Sequence, residues 1–64
     1  MLLRIINTTD GQYKGKYVEY NEVGKILTLP NGESLKVEEA VDGKKYTLST
    51  SNYVVNLVND IIKE

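Results

Sequence analysis

The segment Gln12-Tyr13-Lys14-Gly15-Lys16-Tyr17 interleaves two aromatic rings with two ammonium groups around a glycine. Rings stack on flat ligands and ammonium groups hold phosphates, so Tyr13, Lys14, Lys16 and Tyr17 form a candidate site for a small anionic or nucleotide ligand. Arg4 joins them as the single arginine of the chain, set in an otherwise apolar run. Its guanidinium offers the fork that grips a phosphate or carboxylate with two hydrogen bonds. An arginine in such a run can also snorkel to water or pair with an acid such as Glu19. The alternation around Gly15 suits a solvated strand face as well, with the glycine marking a bulge.

Catalytic chemistry finds little to work with. The 64 residues include no Cys and no His, which removes thiolate nucleophiles, the imidazole base and the usual zinc sites. Glu38 and Glu39 are neighbours on an expected strand, so they point to opposite faces and cannot act as a carboxylate pair. Thr47, Ser49, Thr50 and Ser51 have no base at a useful spacing. Asp10-Gly11 and Asp42-Gly43 lack the further acidic ligands of a calcium loop and read as turns. The expectation is a non-enzymatic protein with no catalytic residues, no metal and no cofactor.

The elements that position these residues are short strands. Asp10-Gly11, Asn31-Gly32 and Asp42-Gly43 each separate stretches of alternating apolar and polar residues, the pattern of β-hairpins. Pro30 lacks the N–H that a two-residue loop would need, so the second hairpin takes a three-residue loop that pairs Leu27 with Leu35 and Lys25 with Val37. A two-residue Asp42-Gly43 turn pairs Val41 with Lys44 and Glu39 with Tyr46. A tight Asp10-Gly11 turn pairs Leu3 with Val18 and Arg4 with Tyr17. Strands are therefore expected at about 2–7, 16–21, 25–29, 33–41 and 44–50. A mainly β domain spanning 1–64 follows, a five-stranded antiparallel meander of the SH3-like or OB-like kind, curled because closure removes exposed edges.

From Tyr53 onward the period lengthens. Tyr53, Val54, Val55, Leu57, Val58, Ile61 and Ile62 share one helical face, which predicts a C-terminal helix over about 52–63 with Ser51 as its cap. Val, Ile, Asn and Asp are weak helix formers, and a strand at about 53–58 is the alternative. Strand 2–7 is apolar on both faces, through Leu3 and Ile5 on one side and Leu2 and Ile6 on the other. With the wide apolar arc of the helix, this is more apolar surface than one small core hides. Leu2, Ile6, Tyr53, Val55 and Ile62 are accordingly the candidate interface, facing a protein partner or further copies in a homo-oligomer.

Nineteen residues are Leu, Ile or Val, ample for a folded core. A net charge of −1 lacks the basic footprint of a general nucleic-acid binder, and apolar runs are far shorter than the roughly 18 residues that span a bilayer. The expectation is a chain without a charged-then-apolar leader ending in a small-residue cleavage site, and with a cytoplasmic location.

A frame from Met1 to Glu64, rich in Lys, Asn, Ile and Tyr, with Thr9-Asp10-Gly11-Gln12-Tyr13-Lys14-Gly15 early and Ser51-Asn52-Tyr53 late, resembles small uncharacterised proteins of bacteriophages and mobile elements. The resemblance implies an anti-defence factor in the cytoplasm of a bacterial host, with no catalytic residues. Such a factor blocks a host protein through its apolar surface or, alternatively, acts as an oligomer that sequesters a small anionic or nucleotide ligand. A structural subunit of a phage particle is a further alternative.

Overall fold

The computed structural model describes residues 1–60 as a single antiparallel sheet of seven strands. These are β1 (Leu2–Thr8), β2 (Tyr17–Asn21), β3 (Ile26–Thr28), β4 (Ser34–Lys36), β5 (Glu38–Asp42), β6 (Lys45–Ser49) and β7 (Val54–Val58). Their order across the sheet is β4-β3-β2-β1-β7-β6-β5. β4 and β5 thus lie at opposite edges, yet only Val37 separates them in sequence. Since consecutive Cα atoms are about 3.8 Å apart, one intervening residue brings the two edges together, and the sheet curls into a nearly closed barrel. The Val37 N–H donates to the Lys25 carbonyl at 2.9 Å, while Glu38 already pairs with Ser49 on the far edge. The chain crosses the seam of the barrel at that residue.

Five strands were expected, and seven are present among the described residues. The strand expected over 33–41 divides at Val37, its first half pairing with β3 and its second with β6. The larger difference lies at the C-terminus. Residues 54–58 form a central strand between β1 and β6, and no helix occurs among the described residues. Three of its five residues are valines, whose branched Cβ fits a pleated surface better than a helix. Burial also alternates with period two, Val55 and Leu57 inward against Val54, Asn56 and Val58 outward. Ser51 therefore caps no helix and sits in the β6–β7 turn, which the Thr50 N–H closes on the Tyr53 carbonyl at 2.8 Å.

Register follows local turn chemistry. Leu27 pairs with Leu35 as expected, and the Gly32 N–H bonds the Leu29 carbonyl at 2.9 Å across Pro30-Asn31. Gly32 has φ +94°, the left-handed position that ends this three-residue loop. The third hairpin turns one residue later than expected, at Gly43-Lys44, pairing Asp42 with Lys45, Val41 with Tyr46 and Glu39 with Leu48. Partner numbers shift by two, so each side chain keeps the face expected of it. β1 and β2 pair as expected, Leu3 with Val18 and Arg4 with Tyr17. Asp10-Gly11 is not their tight turn, however, because β1 runs on to Thr8 against β7 and the connection is a loop over 9–16.

Ten apolar residues fill the barrel: Leu3, Ile5, Val18, Tyr20, Leu27, Leu29, Val37, Leu48, Val55 and Leu57. Each buried aliphatic side chain contributes about 1.5–3 kcal/mol against exposure. A bulge at Ile6 resets the alternation of β1, so that Ile5 and then Thr8 point inward while Ile6 and Asn7 point out.

Candidate functional site

The outer face of β1 gathers one part of the expected site. Leu2, Arg4 and Ile6 lie on it, with Tyr17 beside Arg4 on β2 and Val58 beside Arg4 on β7. Leu2, Ile6, Tyr17 and the neighbouring Val54 are exposed by 44%, 42%, 51% and 39%. Arg4 sits among them with its Nε donating to Asp60 Oδ2 at 2.6 Å. That hydrogen bond and the Asp60 charge raise the guanidinium pKa above its ordinary value. An anion gripped by Arg4 therefore competes with a carboxylate already in place. Glu19, named as one acid that Arg4 could pair with, instead binds the amino group of Met1.

The 9–16 loop gathers the other part. Thr8 is buried, and its hydroxyl lies 2.8 Å from Asp10 Oδ1 and 2.9 Å from the Gln12 carbonyl. The same Oδ1 accepts the Gln12 N–H at 3.1 Å and the Tyr53 hydroxyl at 2.9 Å. The Thr8 hydroxyl first, then the Gln12 N–H, hold the Asp10 carboxyl below the usual carboxylate range. Burial, with Asp10 adding to it, pushes the Tyr53 phenol up. Asp10 thus ties the loop to the start of β7.

Beyond Asp10 the loop turns sharply. Tyr13 adopts φ +65°, a left-handed conformation that an aromatic residue enters at a cost, and its ring packs against the core. Between this loop and the Pro30–Gly32 turn lies an open groove of about 410 Å³. Tyr13 and Tyr53 line it together with Leu29, Leu35, Asp10 and Glu33, and Gln12, Asn31 and Thr50 complete its rim. Asn31 shapes the far side, its Oδ1 accepting the Glu33 N–H and its Nδ2 donating to Glu33 Oε1, both at 2.9 Å.

The residues nominated from sequence therefore fall in different environments. Leu2, Arg4, Ile6 and Tyr17 come together on the outer face, whereas Tyr13 and Tyr53 line the groove. Lys14 and Lys16 are exposed on the loop. Val55 is 1% exposed in the core, where it cannot meet a partner, because it faces inward once residues 54–58 become a strand. Ile62 lies outside the described residues. Sequence reasoning missed Asp10 and Glu33 as groove residues; both stand beside turn signals, and only the folded chain shows that the two turns meet.

At the other end of β2, Tyr20 is fully buried and its hydroxyl has no hydrogen-bond partner among the described residues. Burial foremost, then the nearby Glu39 carboxylate, push its pKa up to about 12. Tyr46 meets its ring edge-on at 6.3 Å. Glu39 itself is half-buried and pairs with Leu48, not with Tyr46 as expected.

Comparison with known proteins finds no matching family model, no matching curated protein and no matching solved structure.

Proposed function

We propose that this protein is a non-catalytic binding module that engages a protein partner through the outer face of β1, β2 and β7. One observation carries the reading: Leu2, Ile6, Tyr17 and Val54, from three adjacent strands, stand 39–51% exposed on a single face. A monomer of this size gains by hiding such side chains, and the Arg4–Asp60 pair set among them supplies orientation. Blocking a partner by covering its surface needs no cofactor and no catalytic group. The nucleotide-sequestering alternative has weaker support, because Arg4 is held by Asp60 and no second cation pairs with it across the strands.

The test compares the wild-type protein with a Leu2→Asp/Ile6→Asp variant. Both side chains already reach solvent, so the variant is expected to fold, as checked by circular dichroism. Native mass spectrometry reads self-association, and chemical cross-linking in the source cell's extract, mapped to residues, reads contact with other proteins. Partner or self contacts that map to β1 and vanish in the variant support the reading. Contacts that survive the double substitution, or a wild-type protein that stays monomeric and cross-links to nothing, overturn it.

A further inference from the structure

We propose that the groove between the 9–16 loop and the Pro30–Gly32 turn is a docking site for an extended protein segment that inserts a lysine or arginine side chain. The groove shares no lining residue with the outer face, and the charged side chains that line it are of one sign. Asp10 and Glu33 stand on the two sides of the groove, and none of its lining among the described residues is basic. Asp10 is held ionised, since its Oδ1 is stabilised by three donors, and its Oδ2 takes no hydrogen bond among the described residues. A site with two carboxylates and no cation favours a cationic guest and repels an anionic one.

The rest of the lining narrows the guest further. Leu29 and Leu35 give the groove an apolar floor, and Tyr13 and Tyr53 give it ring surface. Both tyrosines pack against the core and are only partly buried, so part of each ring is left to the groove. Rings beside carboxylates are the surroundings in which an ammonium or guanidinium is held by cation–π attraction as well as by charge. The leucines suit the methylene stem that carries such a group on lysine or arginine. A free metal ion would gain nothing from them. At about 410 Å³ the groove exceeds one ammonium head and is open to solvent, which leaves room for the backbone that carries such a side chain. Tyr13 holds its strained backbone where its ring lines this space.

An oriented library of hexapeptides tests the proposal, with one central position fixed as Lys, Arg, Leu, Ser or Glu. Binding is read by amide chemical-shift mapping on the full chain. The Lys and Arg pools are expected to bind and to shift residues 10–13, 31–35 and 53, more weakly at high salt. Glu33→Gln, which keeps the side-chain shape and its contact with Asn31, is expected to weaken the Lys pool about threefold, and Glu33→Lys to abolish binding. Equal binding of the Leu or Glu pools overturns the proposal, as do shifts confined to the outer face or no binding by any pool. Spermidine that shifts the same residues as tightly as the Lys pool assigns the groove to free amines and likewise overturns it.

Discussion

The Tyr53 hydroxyl donates to Asp10 Oδ1 at 2.9 Å, joining residues 43 positions apart in sequence. This bond fastens the 9–16 loop to the entry of β7, and the same oxygen orders Gln12 within the loop. Tyr53→Phe removes the bond and keeps the ring. The expected result is faster hydrogen exchange at the Gln12 amide with little change in the exchange of Leu3 or Ile5, read by NMR. Unchanged exchange at Gln12 would show that the Thr8 hydroxyl holds the loop alone.

The Asp10 carboxyl also sets an acid limit on loop order. Its folded pKa lies below the ordinary value of 3.8, so ionised Asp10 stabilises the folded loop above that pH. That contribution is lost as pH falls through the lowered folded pKa. An NMR titration is expected to show the Gln12 and Tyr53 resonances moving together below pH 3.8, with Asp10→Asn abolishing the coordinated shift. Independent movement of the two would refute the shared anchor.

Val55 separates folding from binding. It is 1% exposed between β1 and β6, and Val55→Asp would place an unpaired carboxylate in the barrel. The cost of an uncompensated buried charge is about 3–5 kcal/mol, comparable with the whole stability of a domain this small. The variant is expected to lose its cooperative thermal transition, whereas Ile6→Asp, at the exposed bulge of the neighbouring strand β1, retains it. A folded Val55→Asp protein would show that the β7 register is wrong.

What the sequence made legible was whatever local chemistry decides. Pro30 and Gly32 dictated their loop, and the alternation of Leu27, Leu35 and Leu48 dictated the inward face. The C-terminal segment was ambiguous because Tyr53, Val54, Val55, Leu57 and Val58 satisfy a helical face and a strand pattern in so short a run. Its pairing with β1, a contact spanning some fifty residues, resolved it, and no local signal encodes that contact. The groove was hidden for the same reason: Asp10 and Glu33 read as turn residues, and they share a site because the β1–β2 loop and the β3–β4 turn lie at the same end of the sheet, on strands joined through the β2–β3 pairing.

Two left-handed backbone positions respond oppositely to substitution. Gly32 has φ +94° with open space around the position a Cβ would occupy, so Gly32→Ala carries backbone strain without a clash and is expected to cost about 1–2 kcal/mol. Lys25 has φ +54° with a side chain already present. Lys25→Gly relieves that strain while its greater freedom in the unfolded chain offsets part of the gain, leaving a stabilisation of up to about 1 kcal/mol. Urea denaturation of both variants reads the pair. Destabilisation by Lys25→Gly larger than about 1 kcal/mol would mean that the lysine side chain contributes more than its strained backbone costs.

Tyr20 carries the one core hydroxyl with no partner among the described residues, and an orphaned buried hydroxyl costs about 1–3 kcal/mol. Tyr20→Phe keeps the ring against Tyr46 and removes the orphan, so urea denaturation at pH 7 is expected to show equal or greater stability. The alkaline limb gives a second reading. Unfolded tyrosine loses its proton near pH 10 but folded Tyr20 only near pH 12, so the unfolded state binds fewer protons between those values. Stability is therefore intact below pH 10 and falls as pH rises from 10 through about 12, and the fall should be shallower in Tyr20→Phe, with the raised Tyr46 and Tyr53 phenols supplying what remains. A variant that is less stable at pH 7 would show that the hydroxyl is satisfied after all, with Glu39 as its acceptor. Identical alkaline limbs in the two proteins would show that Tyr20 titrates alike in the folded and unfolded chain and would refute its raised pKa.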